Sequence, residues 1–180
     1  MAPKLEQEVE QKAAQDARQD IAQNSSQDLS RKASQSLTKD LNKPLFKLLE
    51  EASQPWLSTP YKMGGTDRIK GSDCSNYVQT LMRDFGYNLP RSTREQMRVG
   101  KVINKNELKS ADLVFFKTGK NTYHVGIFLE GKNFLHLSRK GGVKNRSLDE
   151  KYWKARYIGA RRFPTSLAIS LNKDKSMAND

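Results

Sequence analysis

The chain contains a single cysteine, Cys74, among its 180 residues. An intramolecular disulfide framework is thereby excluded, and no cluster of thiols exists to hold a structural zinc. Long hydrophobic runs are absent too: nothing approaches the roughly 18 consecutive apolar residues that a membrane helix needs. The start, Met-Ala-Pro-Lys-Leu-Glu-Gln, lacks the apolar stretch of a secretion signal. Export is therefore expected to use another route or a leader lost before this sequence begins. Aromatic residues are few, at 8%, and the mean hydropathy is −0.81. That is too polar for a chain that is core throughout, yet the aromatic content excludes a wholly disordered one. The length suits one compact domain with extra chain, not two full domains.

Acidic residues are outnumbered. Lys and Arg total 32 against 20 Asp and Glu, a net charge of +12, which calls for a polyanionic partner such as nucleic acid, anionic lipid or cell wall without choosing among them. The excess is localised, because residues 1–53 carry net −1, residues 166–180 are balanced, and residues 54–165 carry +13. In the first segment Gln recurs at 7, 11, 15, 19, 23 and 27, and weakly apolar residues such as Leu5, Val9, Ala13, Ala17 and Ile21 keep the same step. A step of four advances about 40° beyond a full helical turn, so the stripe winds round the cylinder and makes a poor packing face. Residues 1–44 are read as a polar, partly helical tether or docking arm for a protein partner or anchor, and 166–180 as a loose tail.

From about Lys43 the pattern changes. Pro44 suits a first helical turn, and Leu45, Leu48, Leu49, Ala52 and Trp56 can share one apolar face before Pro55 and Pro60 close the helix. A loop follows at Tyr61-Lys-Met-Gly-Gly65. After Gly71-Ser-Asp-Cys-Ser-Asn76, the residues Tyr77, Val78, Leu81, Met82 and Phe85 repeat at helical spacing until Gly86, so Cys74 stands at a helix N-terminus. Residues 112–117, 124–130, 133–138 and 157–163 are short, rich in aromatic and β-branched types, and read as strands. Helices first and then an antiparallel sheet of four or more strands make an α+β domain over 45–165.

A thiol attacks only as thiolate, and a helix N-terminus or a nearby imidazole lowers its pKa. The two histidines, His124 and His136, lie on consecutive predicted strands among apolar neighbours. Together they complete a Cys–His–His set, in which His124 would exchange protons with the thiol and the leaving amine while His136 orients it. Spacing alone leaves other readings open: a small buried hydrophobe at Cys74, satisfied strand histidines, or a metal site adding Asp73, although no typical zinc spacing is present. Register constrains the set. On an antiparallel hairpin the two rings share a face only if the loop has odd length or carries a bulge; a two-residue Gly131-Lys132 loop fails, while a three-residue loop closing with left-handed Asn133 succeeds.

Several motifs occur in a fixed order: Tyr61-x-x-Gly64-Gly65, Asp73-Cys74-Ser75, Leu89-Pro90-Arg91-Ser92-Thr93-x-x-Gln96, Asp112-Leu-Val-Phe-Phe116, His124-Val-Gly-Ile127, Phe134-Leu-His136-x-Ser138, Tyr152-Trp153 and Ala160-Arg161-Arg162. This series resembles the NlpC-type bacterial cell-wall cysteine peptidases from about Leu45 to Phe163; residues 1–44 and the tail are not covered. The resemblance implies a papain-like core, with N-terminal helices on an antiparallel sheet, and a peptidoglycan endopeptidase that needs no metal or cofactor. It implies Cys74 as nucleophile, His124 as base and acid, His136 as orienter, Tyr61 as oxyanion partner, and Asp73 and Ser75 as lining of the substrate cleft. The bond implied is D-alanyl–diaminopimelate across stems or γ-D-glutamyl–diaminopimelate within one. Periplasmic or cell-surface action by a monomer is expected. Two positions depart from the family pattern: Asn76 replaces a usual Gly, and Leu137 a usual small residue, so cleft shape or helix packing is expected to differ. The rival reading is a non-catalytic wall- or partner-binding module. Nucleic-acid binding is not expected, because no recognition motif or base-stacking aromatic cluster accompanies the lysines.

Overall fold

A computed structural model describes residues 43–164. The expected arm over 1–44, apart from its last two residues, and the tail over 166–180 lie outside the described residues. The first helix, α1 (Leu45–Ala52), starts one residue later than the proline suggests. Pro44 is the N-cap, extended at ψ 144°, and its carbonyl accepts the N–H of Lys47 at 2.9 Å. Trp56 was expected on this helix, but α1 stops at Ala52 and Trp56 belongs to a separate 3₁₀ turn, Gln54–Trp56. Pro55 is the cause, since its ring cannot continue the ladder of an α-helix. Trp56 still reaches the core, meeting Tyr77 edge to face with ring centroids 5.2 Å apart.

A small ribbon follows, β1 (Thr66–Asp67) paired with β2 (Gly71–Ser72), and leads into α2 (Cys74–Asp84). Helix α3 (Thr93–Arg98) opens with a capping box in which Ser92 and Glu95 satisfy each other's backbone N–H groups. The main sheet has six strands: β3 (Lys101–Ile103), β4 (Leu113–Lys117), β5 (Tyr123–Phe128), β6 (Asn133–Leu137), β7 (Val143–Ser147) and β8 (Tyr157–Arg162), the last preceded by the single turn α4 (Lys151–Lys154). Their order is β3-β8-β4-β5-β6-β7 and every pairing is antiparallel. This is the α+β arrangement of helices and an antiparallel sheet.

Both faces of the sheet are covered, which is why its central strands read as continuous apolar runs. Leu113, Phe115, Val125, Ile127, Leu135 and Leu137 pack with Tyr77, Val78, Leu81 and Met82 of α2. The alternate residues Val114, Phe116, Phe128, Phe134 and Ala160 pack on the other face with Trp153 of α4. Tyr77, Phe116 and Phe134 are fully buried. Each such ring removes on the order of 200 Å² from water, about 5 kcal/mol of transfer free energy before chain entropy is counted.

The β5–β6 hairpin decides the functional geometry. Ile127 pairs with Leu135 and Phe128 with Phe134, and the Leu129 N–H donates to the Asn133 carbonyl, leaving the three-residue loop 130–132. The loop has the odd length that puts both histidines on one face. Its left-handed residue, however, is Gly131 at φ 60°, not Asn133, which is already the first residue of β6. Glycine has no Cβ to clash in that conformation. Closer to the site, Gly126 needs its hydrogen side chain: a Cβ there would lie 2.6 Å from Phe134 Cδ2 and 2.8 Å from the Leu135 carbonyl oxygen. Substituting Gly126→Ala is expected to destabilise the domain by about 1–3 kcal/mol and lower its melting temperature by roughly 5–10 °C. An unchanged melting temperature would show that the sheet opens there freely.

Candidate active site

Helix α2 begins at Cys74 because Asp73 caps it. Asp73 is extended (φ −102°, ψ 173°) and its Oδ1 accepts the Asn76 N–H at 2.8 Å, satisfying one orphan donor of the first turn. The cap carboxylate has further partners. Arg91 donates Nη1 to Oδ1 and Nη2 to Oδ2, both at 2.9 Å; Ser75 Oγ donates to Oδ1 at 3.1 Å and the Gly64 N–H to Oδ2 at 3.0 Å. Burial opposes ionisation of Asp73, but Arg91, the Asn76 N–H and the Ser75 hydroxyl outweigh it and hold the carboxyl below its ordinary range. An oxygen pair already receiving these bonds has little capacity left for an amine of a peptide. Arg91, which no spacing argument singled out, is therefore as much a part of this corner as Asp73.

Cys74 is only 4% exposed. Burial raises its thiol pKa, and the Asp73 charge adds to that, whereas the Val125 N–H, the Thr93 hydroxyl and Tyr61 favour the thiolate. Burial wins. The lowered pKa expected from the helix N-terminus is thus replaced by a thiol that keeps its proton at rest, because the sulfur exchanges bulk water for a few weak donors. Thr93 Oγ1 lies 3.8 Å from the sulfur. Among the described residues no hydrogen bond joins the sulfur to an imidazole.

His124, on β5, pairs with Phe116 of β4, and His136 lies on β6. Their rings meet at 81° with His124 Nε2 2.8 Å from His136 Nδ1. Trp153 stacks on His124 (centroids 5.6 Å apart, 26°) and meets His136 edge to face at 4.8 Å. Both histidines are buried. Burial lowers His124 to about 4, with the Arg139 charge adding to the effect. It lowers His136 further, with His124 and then Arg146 contributing. Both rings are consequently neutral near pH 7, and one proton serves the contact between them. If His136 Nδ1 accepts that proton's bond, the free nitrogen of His124, Nδ1, is left basic.

Tyr61 is half-buried and bridges to Ser72. Its phenol pKa is raised, first by burial and then by Cys74, and its hydroxyl interacts with the sulfur. Arg139 lies over the ring, 5.8 Å from its centroid. Two cavities adjoin these groups. One, about 560 Å³, is lined by Met63, Asp73, Ser75, Arg91, Thr93 and Tyr123 among others. The second, about 430 Å³, is lined by His124, His136, Arg139, Lys140, Arg146 and Trp153 among others. Tyr61, Asp73, Cys74 and Ser75 therefore gather around the start of α2, and His124 with His136 form a second group linked to the first by Val125.

The two departures from the family pattern are absorbed by packing. Asn76 is buried and its Nδ2 donates to Ser72 Oγ at 2.9 Å, tying α2 to β2. Leu137 is buried with the α2 core, on the face opposite to the histidines. Neither residue lines either cavity, so what they alter is the packing around α2. Trp153 was legible only as part of the Tyr152-Trp153 motif; nothing local signals that it lies against both imidazoles.

The sequence profile of the NlpC/P60 family matches residues 58–162. The chain is 48% identical over 117 residues to a probable endopeptidase NlpC homolog of Haemophilus influenzae, covering 64% of this chain and 62% of that protein. It is 44% identical over 108 residues to a murein DD-endopeptidase MepS/murein LD-carboxypeptidase of Escherichia coli K12, covering 59% of this chain and 57% of that one. The match thus spans about three fifths of the length of these relatives. The crystal structure of an NlpC/P60 family protein from Bacillus cereus superposes with a TM-score of 0.59 at 30% identity, covering 67% of this chain and 40% of that one.

Burying two neutral imidazoles links stability to pH. Both folded pKa values lie below the unfolded value of about 6.5, so below that pH the unfolded chain holds more protons and stability is lost as pH falls toward the folded values. Each ring contributes up to about 1.4 kcal/mol per pH unit across that window. The urea midpoint is expected to fall steadily between about pH 7 and about pH 5, and less steeply in a His124→Gln/His136→Gln double variant. A flat wild-type profile, or an equal slope in the variant, contradicts buried neutrality.

Proposed function

Because this chain belongs to the NlpC/P60 family, we propose that it is a cysteine peptidase that hydrolyses amide bonds in the peptide part of peptidoglycan. The observation that carries this reading is the 2.8 Å contact between two buried imidazoles on a strand pair whose Val125 packs in the same core cluster as Cys74. Burying polar rings costs stability that burying an apolar pair would not, so their presence points to a chemical role. The E. coli relative is described as a murein endopeptidase, which supports peptidoglycan as the substrate class.

In this mechanism the Cys74 thiol passes its proton to His124 Nδ1 as the sulfur bonds to the scissile carbonyl carbon. His136 Nδ1 accepts the Nε2–H of His124 and holds that tautomer. Trp153, stacked on His124, favours the imidazolium through its π face. Negative charge on the carbonyl oxygen meets the Cys74 N–H, at the first residue of α2, and the Tyr61 hydroxyl. The His124 proton then goes to the leaving amine, the C–N bond breaks, and a thioester remains. Water, deprotonated by His124, releases the acid and returns the proton to sulfur. A neutral thiol and a neutral base suit this scheme, since charge separation is deferred until substrate displaces water.

Asp73, Ser75 and Arg91 form one wall of the cleft, with Asp73 holding Arg91 and the helix start in place. Residues 1–44 serve as a tether or docking arm. Peptidoglycan lies outside the cytoplasmic membrane, so the site of action is the periplasm or cell surface. The burial of the sulfur favours one rival, a wall-binding module without turnover. Incubating purified sacculi with wild type and Cys74→Ala and separating released muropeptides distinguishes the two. Wild type is expected to release product, Cys74→Ala to lose at least about 10³-fold and His136→Ala to lose less. Equal product from wild type and Cys74→Ala, or none from either, would remove the peptidase reading.

A further inference from the structure

We propose that the cavity on the histidine side of the site is a carboxylate-reading subsite, in which Arg139, Lys140 and Arg146 bind a free carboxylate on the amine-bearing fragment of the substrate. The inference rests on the peptidase reading above and specifies what the site recognises. Two observations carry it. First, three cations converge on this cavity, and among the described residues none of Arg139, Lys140 and Arg146 forms an ion pair, whereas Arg91 of the other cavity is bonded to Asp73. The one acid in the lining, Glu150, accepts the Ser147 N–H at 3.0 Å. A concave wall with three free cations against one engaged carboxylate focuses positive potential, and the guanidinium fork matches a carboxylate in two parallel bonds.

Second, the cavity stands on the leaving-group side. His124 lines it, and His124 must deliver a proton to the departing amine, so whatever occupies the space beyond the ring leaves with that amine. Thr93, the hydroxyl neighbour of the sulfur, lines the other cavity, which then takes the acyl fragment. Arg146 pairs with Phe134 in register and so shares the face of His136, while Arg139 reaches over the Tyr61 ring. A carboxylate held between them offsets positive charge that otherwise opposes a proton on the imidazoles. It therefore favours the protonated His124 that the reaction requires.

The chemistry distinguishes bonds. In a D-alanyl–diaminopimelate cross-link the acylated amine sits on the carbon that bears a free carboxylate. In a γ-D-glutamyl–diaminopimelate bond within a tetrapeptide stem, the carboxyl next to the acylated amine is itself amidated. The subsite reads this difference and favours the cross-link.

The test uses binding, so that turnover is not required. Calorimetry on full-length Cys74→Ala would compare a purified cross-linked muropeptide dimer whose carboxylate next to the scissile nitrogen is free with the same dimer amidated there. The free acid is expected to bind at least about tenfold tighter. Adding R139Q, K140Q and R146Q, all at exposed positions, is expected to bring the two affinities within about twofold while leaving the melting temperature unchanged. Equal binding of the two dimers by Cys74→Ala overturns the subsite, as does discrimination that survives the triple substitution. An equal loss of affinity for both dimers in the triple variant marks general attraction to the polyanion and overturns it as well. Should the discrimination hold while wild type releases nothing from sacculi, the subsite stands and the peptidase reading falls.

Discussion

One carboxylate organises the site. Asp73 receives the first-turn N–H of α2, both arms of Arg91, the Ser75 hydroxyl and the N–H of Gly64. Those donors come from the loop after Tyr61, from the helix start and from the segment leading into α3. Remove the charge and five donor groups on four residues lose their common acceptor, which costs far more than a solvent-exposed ion pair would. This junction fixes the start of α2, and with it the backbone of Cys74, while the Cys74 and Tyr61 side chains pack with the core.

The second constraint is the sheet with two covered faces. Odd positions of β5 and β6 pack beneath α2, and even positions pack with Trp153. This alternation sends Val125 into the core beneath α2 and turns the ring of its neighbour His124 toward Trp153. The strand thus offers the sulfur a backbone N–H from one residue and places an imidazole on the next. Covering both faces also removes water from the rings, so the histidines are held neutral in the core of a domain whose outer surface is strongly basic.

Much of this was legible beforehand, for identifiable reasons. Helical spacing from Tyr77 to Phe85 located α2, and a Gly between apolar runs located the β5–β6 hairpin, because both signals are local. The parity rule for His124 and His136 needed only the period of a strand. Other features depended on contacts between distant segments. Arg91 meets Asp73 across 18 residues, and neither residue's neighbours reveal the pairing. Trp153 reaches the histidines only because α4 folds back under β6. Asn76 looked like a misfit at a crowded turn until Ser72 supplied a partner for its amide.

The sequence by itself determined where the residue types capable of chemistry lie and which face of each element is apolar, since side-chain type and periodicity are properties of the chain alone. It also determined the basic excess of residues 54–165. Only the tertiary structure decided the protonation of those residues. Burial depends on what packs over a group, and here it reversed the expected direction for Cys74 while holding both imidazoles uncharged. It likewise decided which cations are spent on partners and which remain free to face a ligand, because that depends on distances between segments far apart along the chain.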